Sequence, residues 1–488
     1  MFQTMNEHTT KLAKEFKPSG EAEWRTLAET ALRGADFETA LIKHTEDGLE
    51  LGPLFTENTS RETAHICKSN VPFLAGRPWH ITPRIDHPDI KQANTDALDD
   101  LNGGASALNL KIDPSGANGV ALQHLSDIQR LLSGVHTDLV PINLAPSEHN
   151  FETAILFCAH SEPETSHLSL GYAPIAPNVE KMTSLAKWVH DHAPHWKALS
   201  VNAALTHEAG ATPAQELGFM AFQTASYLRV LIQNGFAVED ACALIDVHLA
   251  SDQDGHQGII KFRAAHALWA KIVESFGANN TRCTLHVHTS ERMLSKADPW
   301  ANLLRINAAS FAAVCGGADY ITTLPFTQPL GLATSFARRI ARNIQLLQME
   351  ESHLGHVQDP AHGSFMHEAL TQTLCAKSWE IFQHMESLGD IEAAHNWLKI
   401  QIDAAHALRT QKLQDGDILL VGINQFTKSD IRKAKTLPRP NNKPVSSDVI
   451  NTTNITQAID QAKAGKSIPA HNNISAFPPV RVAEGFEA

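Results

Sequence analysis

The sequence predicts an α/β protein, a (β/α)8 TIM barrel with an extended N-terminal arm and a helical C-terminal extension. Three observations lead there. Short apolar strands alternate with amphipathic helices from about residue 90 to 351, the pattern of a parallel sheet with helices outside. The same turn recurs: helices end at Gly103-Gly104 and Gly316-Gly317, and a strand follows each. Glycine there supplies the left-handed backbone that ends a helix. Finally, no Gly-x-Gly-x-x-Gly turn follows a strand, which weakens the open dinucleotide-binding sheet as an alternative.

The elements read in order as follows. Glu21 to Gly34 carries Trp24, Leu27, Ala28, Ala31 and Leu32 at helical spacing, and Ala40 to Ile42 with Leu49 to Leu51 flank Asp47-Gly48 as a hairpin. Residues 51–80 are irregular, a feature usually tied to function or binding. The predicted strands are 105–110, 139–144, 154–158, 198–205, 243–248, 284–288 and 320–324. The predicted helices are 122–132, 179–192, 213–234, 259–276, 300–314 and 335–351, followed by 370–388 and 391–413. Residues 418–422 suit one last short strand. The divisions are an arm (1–55), a barrel (56–425) and a tail (426–488) that lacks apolar pattern and is expected to be partly disordered.

Composition narrows the function classes. The 488 residues are 43% hydrophobic and 19% charged, enough for a large core. A formal charge of −13 repels phosphate backbones, so nucleic acid is not expected as a partner. No apolar run reaches the roughly 18 residues of a membrane helix. The N-terminus shows neither an export nor an import pattern, and the six cysteines form no Cys-x-x-Cys, so a cytoplasmic location is expected.

In a barrel, chemistry sits where strands end. The polar residues there are Lys111, Asp113, Asn143, Asn202, His207, Glu208, His248, His286, His288, Thr322 and Thr323. His286 and His288 share one face of a strand, as do the first two zinc ligands of some barrel metallohydrolases; His207, His248 and Asp113 are the candidates to complete such a set. In a chain with 27 histidines, polar packing is the competing reading, and no metal site is assigned. Asp246-Val247-His248-Leu249-Ala250-Ser251 is similar to an Asp-x-His-x-x-Gly cobalamin ligand motif but ends in Ser. Neither a Gly-x-Ser-x-Gly elbow nor a P-loop occurs.

An ordered series of motifs begins with Gly76-Arg77-Pro78-Trp79, Glu208-Ala209-Gly210-Ala211 with Gln215-Glu216-Leu217, Arg263 with Trp269-Ala270-Lys271 and Phe276-Gly277, and Asp298-Pro299-Trp300-Ala301-Asn302. Gly316-Gly317-Ala318, Ile340-Ala341-Arg342-Asn343, Asp359-Pro360 and Gly363-Ser364-Phe365 complete it. The set resembles the methylmalonyl-CoA mutase family over residues 20 to 425. The resemblance implies a barrel threaded by the CoA chain, an intramolecular transferase (isomerase) reaction of propionate metabolism, and adenosylcobalamin as cofactor.

The departures matter as much as the matches. The family tyrosine falls on Arg84 and the family histidine on Leu205, while two pocket glutamines become His207 and His288 and His286 is retained. Arg77 is kept where the family contacts CoA, beside His80 and Thr82. The implied substrate-facing residues are Arg77, His207, His286 and His288, with no catalytic residue. Thr322-Thr323-Leu324-Pro325-Phe326-Thr327-Gln328 resembles the small subunit of heterodimeric mutases. That resemblance implies a non-catalytic chain pairing with a catalytic large subunit that carries the cobalamin. It also implies an arm that wraps the partner and a tail that is a linker remnant. The alternatives are a stand-alone barrel subunit served by a separate cobalamin-binding protein, and a barrel metallohydrolase.

Overall fold

The computed structural model describes residues 20–56, 77–278, 281–441, 443–471 and 475–487. The chain divides into two compact units, residues 1–55 and 56–488. In the first, α1 (Glu21–Ala31) and α2 (Phe37–Leu41) precede an antiparallel hairpin of β1 (Lys43–His44) and β2 (Glu50–Leu51). Asp36 caps α2 by accepting from Thr39 N, and Trp24 meets Phe37 edge-on. Helix α1 has an apolar stripe yet buries none of its residues, and Leu27 is 63% exposed.

In the second unit nine strand segments form one parallel sheet that closes on itself. They are β3 (His80–Ile81), β4 (Arg84–Ile85), β5 (Leu108–Leu110), β6 (Ile142–Leu144), β7 (Leu168–Tyr172), β8 (Lys197–Asn202), β9 (Ile245–Ser251), β10 (Leu285–Thr289) and β11 (Tyr320–Thr322). β3 and β4 are two halves of one barrel strand, so the barrel has eight positions. The first half pairs with β11 (His80 opposite Tyr320), the second with β5 (Arg84 opposite Asn109). Pro83, with no N–H to donate, sits at the changeover, where its carbonyl accepts from Asn109 N at 3.0 Å.

Helices α3 (Ile90–Asn102), α4 (Leu125–Leu131), α5 (Asn150–His160), α6 (Val179–His192), α7 (Ala204–Glu208), α8 (Pro213–Gln233), α9 (Val238–Ala243), α10 (Gly255–Ser275) and α11 (Ala301–Cys315) alternate with the strands. After the short strand β12 (Leu332–Ala333), α12 (Ser335–Leu346) completes the ring, and α13 (Phe365–Ser387) and α14 (Ile391–Asp415) follow. Strand side chains alternate between two faces. The faces toward the helices carry Ile81, Leu110, Leu144, Leu199, Val201, Val247, Leu249 and Val287, all buried.

Two expectations need correction. Residues 154–158 lie within α5, not a strand; α5 is buried on nearly every side, and a continuous apolar run does not separate a buried helix from a strand. Residues 418–422 form a turn, with Asn424 accepting from Leu420 N and donating to Leu413 O and Ile418 O. Among the described residues, the 426–488 segment also carries regular structure. It adds β13 (Thr436–Leu437), paired with β12, and α15 (Ile455–Lys463), and it buries Ile450, Ala458, Ile468, Phe477 and Ala483.

Candidate functional site

The barrel axis is polar. Val, Ile and Leu commonly fill this position in such barrels. Here the inner positions carry Asn109, Asn143, Ser169, Ser200, Asp246, His248, His286, Tyr320 and Thr322. Four rings in neighbouring register stack in a row. His80 meets Tyr320 at 4.7 Å, Tyr320 meets His286 at 4.4 Å, and His286 meets His248 at 4.3 Å, with interplanar angles of 10°, 6° and 16°. Two residues before His248 on the same face, Asp246 receives all that can point at it. Ser169 Oγ donates at 2.5 Å, and the Nε2 atoms of His248 and His286 lie at 3.2 and 3.3 Å. Burial opposes ionisation of Asp246, but the two facing histidines outweigh it and hold the carboxyl well below its usual range. Burial and the neighbouring His286 push His248 down to about 4, so it faces the carboxylate as a neutral donor.

Among the described residues, the group that could hold a metal is therefore Asp246, His248 and His286. His288, His207 and Asp113 do not join it. His288 pairs with Glu208, His207 with Ser290, and Asp113 organises its own loop through Ser115 and Asn118. Nor is the geometry of the three that of a ligand set. The imidazoles lie nearly parallel, which keeps their nitrogen lone pairs side by side, and Ser169 and His248 already donate to the carboxylate.

A second polar network closes the C-terminal mouth. Glu208 accepts from His288 Nε2 (3.0 Å), Glu291 N (3.0 Å) and Arg292 N (2.8 Å). Burial raises the Glu208 carboxyl, but His288 beside it wins and the net shift is downward. Arg292 donates to the carbonyls of His207 and Ala211 and pairs with Asp252. Arg84 donates to Glu291 Oε1 at 2.5 Å; burial opposes it, yet Arg84 and Lys111 hold that carboxyl down at about 2. Deeper in, His207 lies 3.0 Å from Ser290 Oγ and 3.3 Å from Glu216 Oε2, a serine–histidine–acid sequence. It cannot work as a hydrolase: exposures are 0%, 1% and 0% for Ser290, His207 and Glu216, and Ser290 Oγ already accepts from Arg292 N.

The structure does not gather the four substrate-facing residues expected from the sequence. Arg77 precedes β3 at the opposite, N-terminal end and donates to Gly104 O at 3.0 Å. His286 sits mid-axis in the ring stack, and only His207 and His288 share the mouth network. Sequence reasoning missed Asp246, Tyr320 and Glu291 as partners. The Asp246/His248 spacing of two was the one local signal that both face the axis.

A family model described as methylmalonyl-CoA mutase matches residues 45–476. The chain belongs to the methylmalonyl-CoA mutase family. It is 33% identical over 461 residues to the methylmalonyl-CoA mutase small subunit of Streptomyces virginiae, covering 88% of this chain and 74% of that one. It is 30% identical over 469 residues to the small subunit of Propionibacterium freudenreichii subsp. shermanii, covering 88% and 72%. With a probable small subunit from Mycobacterium bovis it shares 35% over 353 residues, 68% of this chain and 56% of the relative. These relatives are subunits of an isomerase, and the family match agrees with the closed barrel. No described helix is long and apolar enough to cross a membrane.

Proposed function

We propose that this chain is the non-catalytic small subunit of a cobalamin-dependent methylmalonyl-CoA mutase, and that it pairs in the cytoplasm with a catalytic large subunit. The observation that carries the reading is the ion pair Arg84–Glu291. It stands where the family resemblance calls for a tyrosine against the acyl group, above an axis occupied by stacked rings. His80, His248 and His286 are 1%, 6% and 6% exposed, so packed rings occupy this part of the axis. Arg77, His207, His286 and His288 are then inherited positions turned to packing. The uncovered apolar stripe of α1 suits an arm that lies on the partner.

Among the described residues, the segment similar to a cobalt-ligand motif does not fit adenosylcobalamin: its His248 is inside the barrel with its Nε2 on Asp246. The cofactor therefore belongs to the large subunit in this reading.

The test is conversion of methylmalonyl-CoA to succinyl-CoA with adenosylcobalamin by this chain alone, the large subunit alone and the co-expressed pair. Turnover only with the large subunit present, in a stable pair, is the expected result. Arg84→Ala in this chain is expected to leave turnover of the pair within about twofold. Turnover by this chain with a separate cobalamin-binding protein, abolished by Arg84→Ala, would overturn the reading.

A further inference from the structure

The segment after residue 430 does not trail away from the barrel; it travels round the rim where the strands end. Arg432 O accepts from Trp300 in the loop after β10. β13 then pairs with β12 after β11, and Arg439 reaches the carbonyls of Asp86 after β4 and Gly116 after β5. Lys443 N donates to Ser115 O, and Ile468 N to Gln123 O, in that same loop after β5. Between these two anchors α15 packs on α5 and α6, where Ile455 N donates to Ser184 Oγ. His471 stacks on His149 after β6 at 5.2 Å. The last stretch crosses to the far side: Val480 N donates to Glu208 O (2.8 Å) after β8, and Val482 N to Arg292 O (3.0 Å) after β10. Phe477, 2% exposed, anchors this crossing against Phe219 and His395.

The segment thus touches the loops following six of the eight barrel positions. It returns near its start, and its last two backbone bonds to the barrel are to Glu208 and Arg292, the residues that organise the mouth network. Loops at this face are the mobile, ligand-admitting part of such a barrel. A chain that ties them to one another removes their freedom to part.

We propose that the described residues between 432 and 487 are a strap that holds the C-terminal rim shut, withdrawing that rim from any cofactor-carrying domain. The proposal deepens the accessory reading and rests on it. It assigns the closing of this rim to a specific covering segment.

The experiment is hydrogen–deuterium exchange on the full chain, wild type against the double variant Val480→Pro/Val482→Pro. The variant removes the two crossing donors and alters no barrel residue. Peptides spanning 205–212 and 287–295 are expected to exchange at least about tenfold faster in the variant, with the 245–251 strand unchanged. Equal exchange of the rim peptides in both proteins would overturn the strap. If the proline pair fails to fold, Phe477→Ala loosens the same crossing by losing its packing on Phe219, with the same two outcomes. The exchange ratio decides the strap, whereas turnover of the subunit pair decides the accessory reading, so each can fail without the other.

Discussion

Acidification from pH 7.5 to 5 is expected to lower the thermal midpoint of this protein steeply. Four histidines, His80, His248, His395 and His471, are each pushed down to about 4, and burial is the leading cause in every case. An unfolded imidazole takes up its proton near 6.5. Between pH 6.5 and 4 the unfolded chain therefore binds protons that the folded chain refuses. Their contribution is fully present above about pH 6.5 and is lost as pH falls toward 4. Four such groups give a slope of at most about 5 kcal/mol per pH unit, at about 1.4 kcal/mol per proton. Over the interval this reaches on the order of 10 kcal/mol, comparable with the whole stability of an ordinary domain. Glu291, held at about 2, acts in the same direction at lower pH: its contribution is present above about 4.5 and declines below it. A midpoint that stays level from pH 7.5 to 5 would show that these histidines are not kept neutral. His248→Gln should reduce the slope by about one proton.

The same burial explains which parts of the molecule were legible in the sequence. Helix α6 is readable residue for residue, because it is amphipathic and ends in solvent; β9 and β10 are readable because polar and apolar residues alternate, with Asp246, His248 and His286 inward. The opening strand was not, since Thr82-Pro83 breaks it into two pairs of residues with different neighbours. β7 was missed too: Leu168 to Tyr172 is short and carries Gly171 at φ 60°. The error at α5 has a tertiary cause. α15 covers the outer face of α5, so α5 loses the polar side that marks a surface helix, while α15 itself buries Ile455, Ala458, Ile459 and Ala462 at helical spacing. The segment carrying α15 is tied down by single backbone bonds, such as those of Ile468 and Val480, to loops remote in sequence. The site divided similarly. Substituted positions such as Arg84 and Leu205 could be read from the motif series, but their partners could not. Glu291 lies 207 residues from Arg84, and no local spacing announces that they meet.

Lys261→Met is expected to cost about 3–5 kcal/mol of stability, the usual loss when one member of a buried ion pair is removed. Lys261 Nζ lies 2.6 Å from Glu216 Oε2 and 2.6 Å from Ala250 O, and the residues are 3% and 0% exposed. Methionine fills a similar volume, so the loss is one of charge and hydrogen bonding, not of packing. What remains is the Glu216 carboxylate, with Ala250 N at 3.0 Å and the His207 ring at 3.3 Å, in a place water does not reach. In the wild type, burial first, then Arg292 and Lys261, hold His207 well below its ordinary range; the variant removes Lys261 but leaves the burial and Arg292 opposing a proton there. The double variant Lys261→Met/Glu216→Gln should recover more than half of the loss. A neutral amide keeps an acceptor for Ala250 N and offers a donor toward His207, with no charge left to solvate. Urea midpoints at constant m-value measure both effects. Additive single-variant losses would show that Lys261 and Glu216 do not act as a pair. A coupled result would show that Lys261 and Glu216 act as one buried ion pair between α8 and α10, beneath the mouth network.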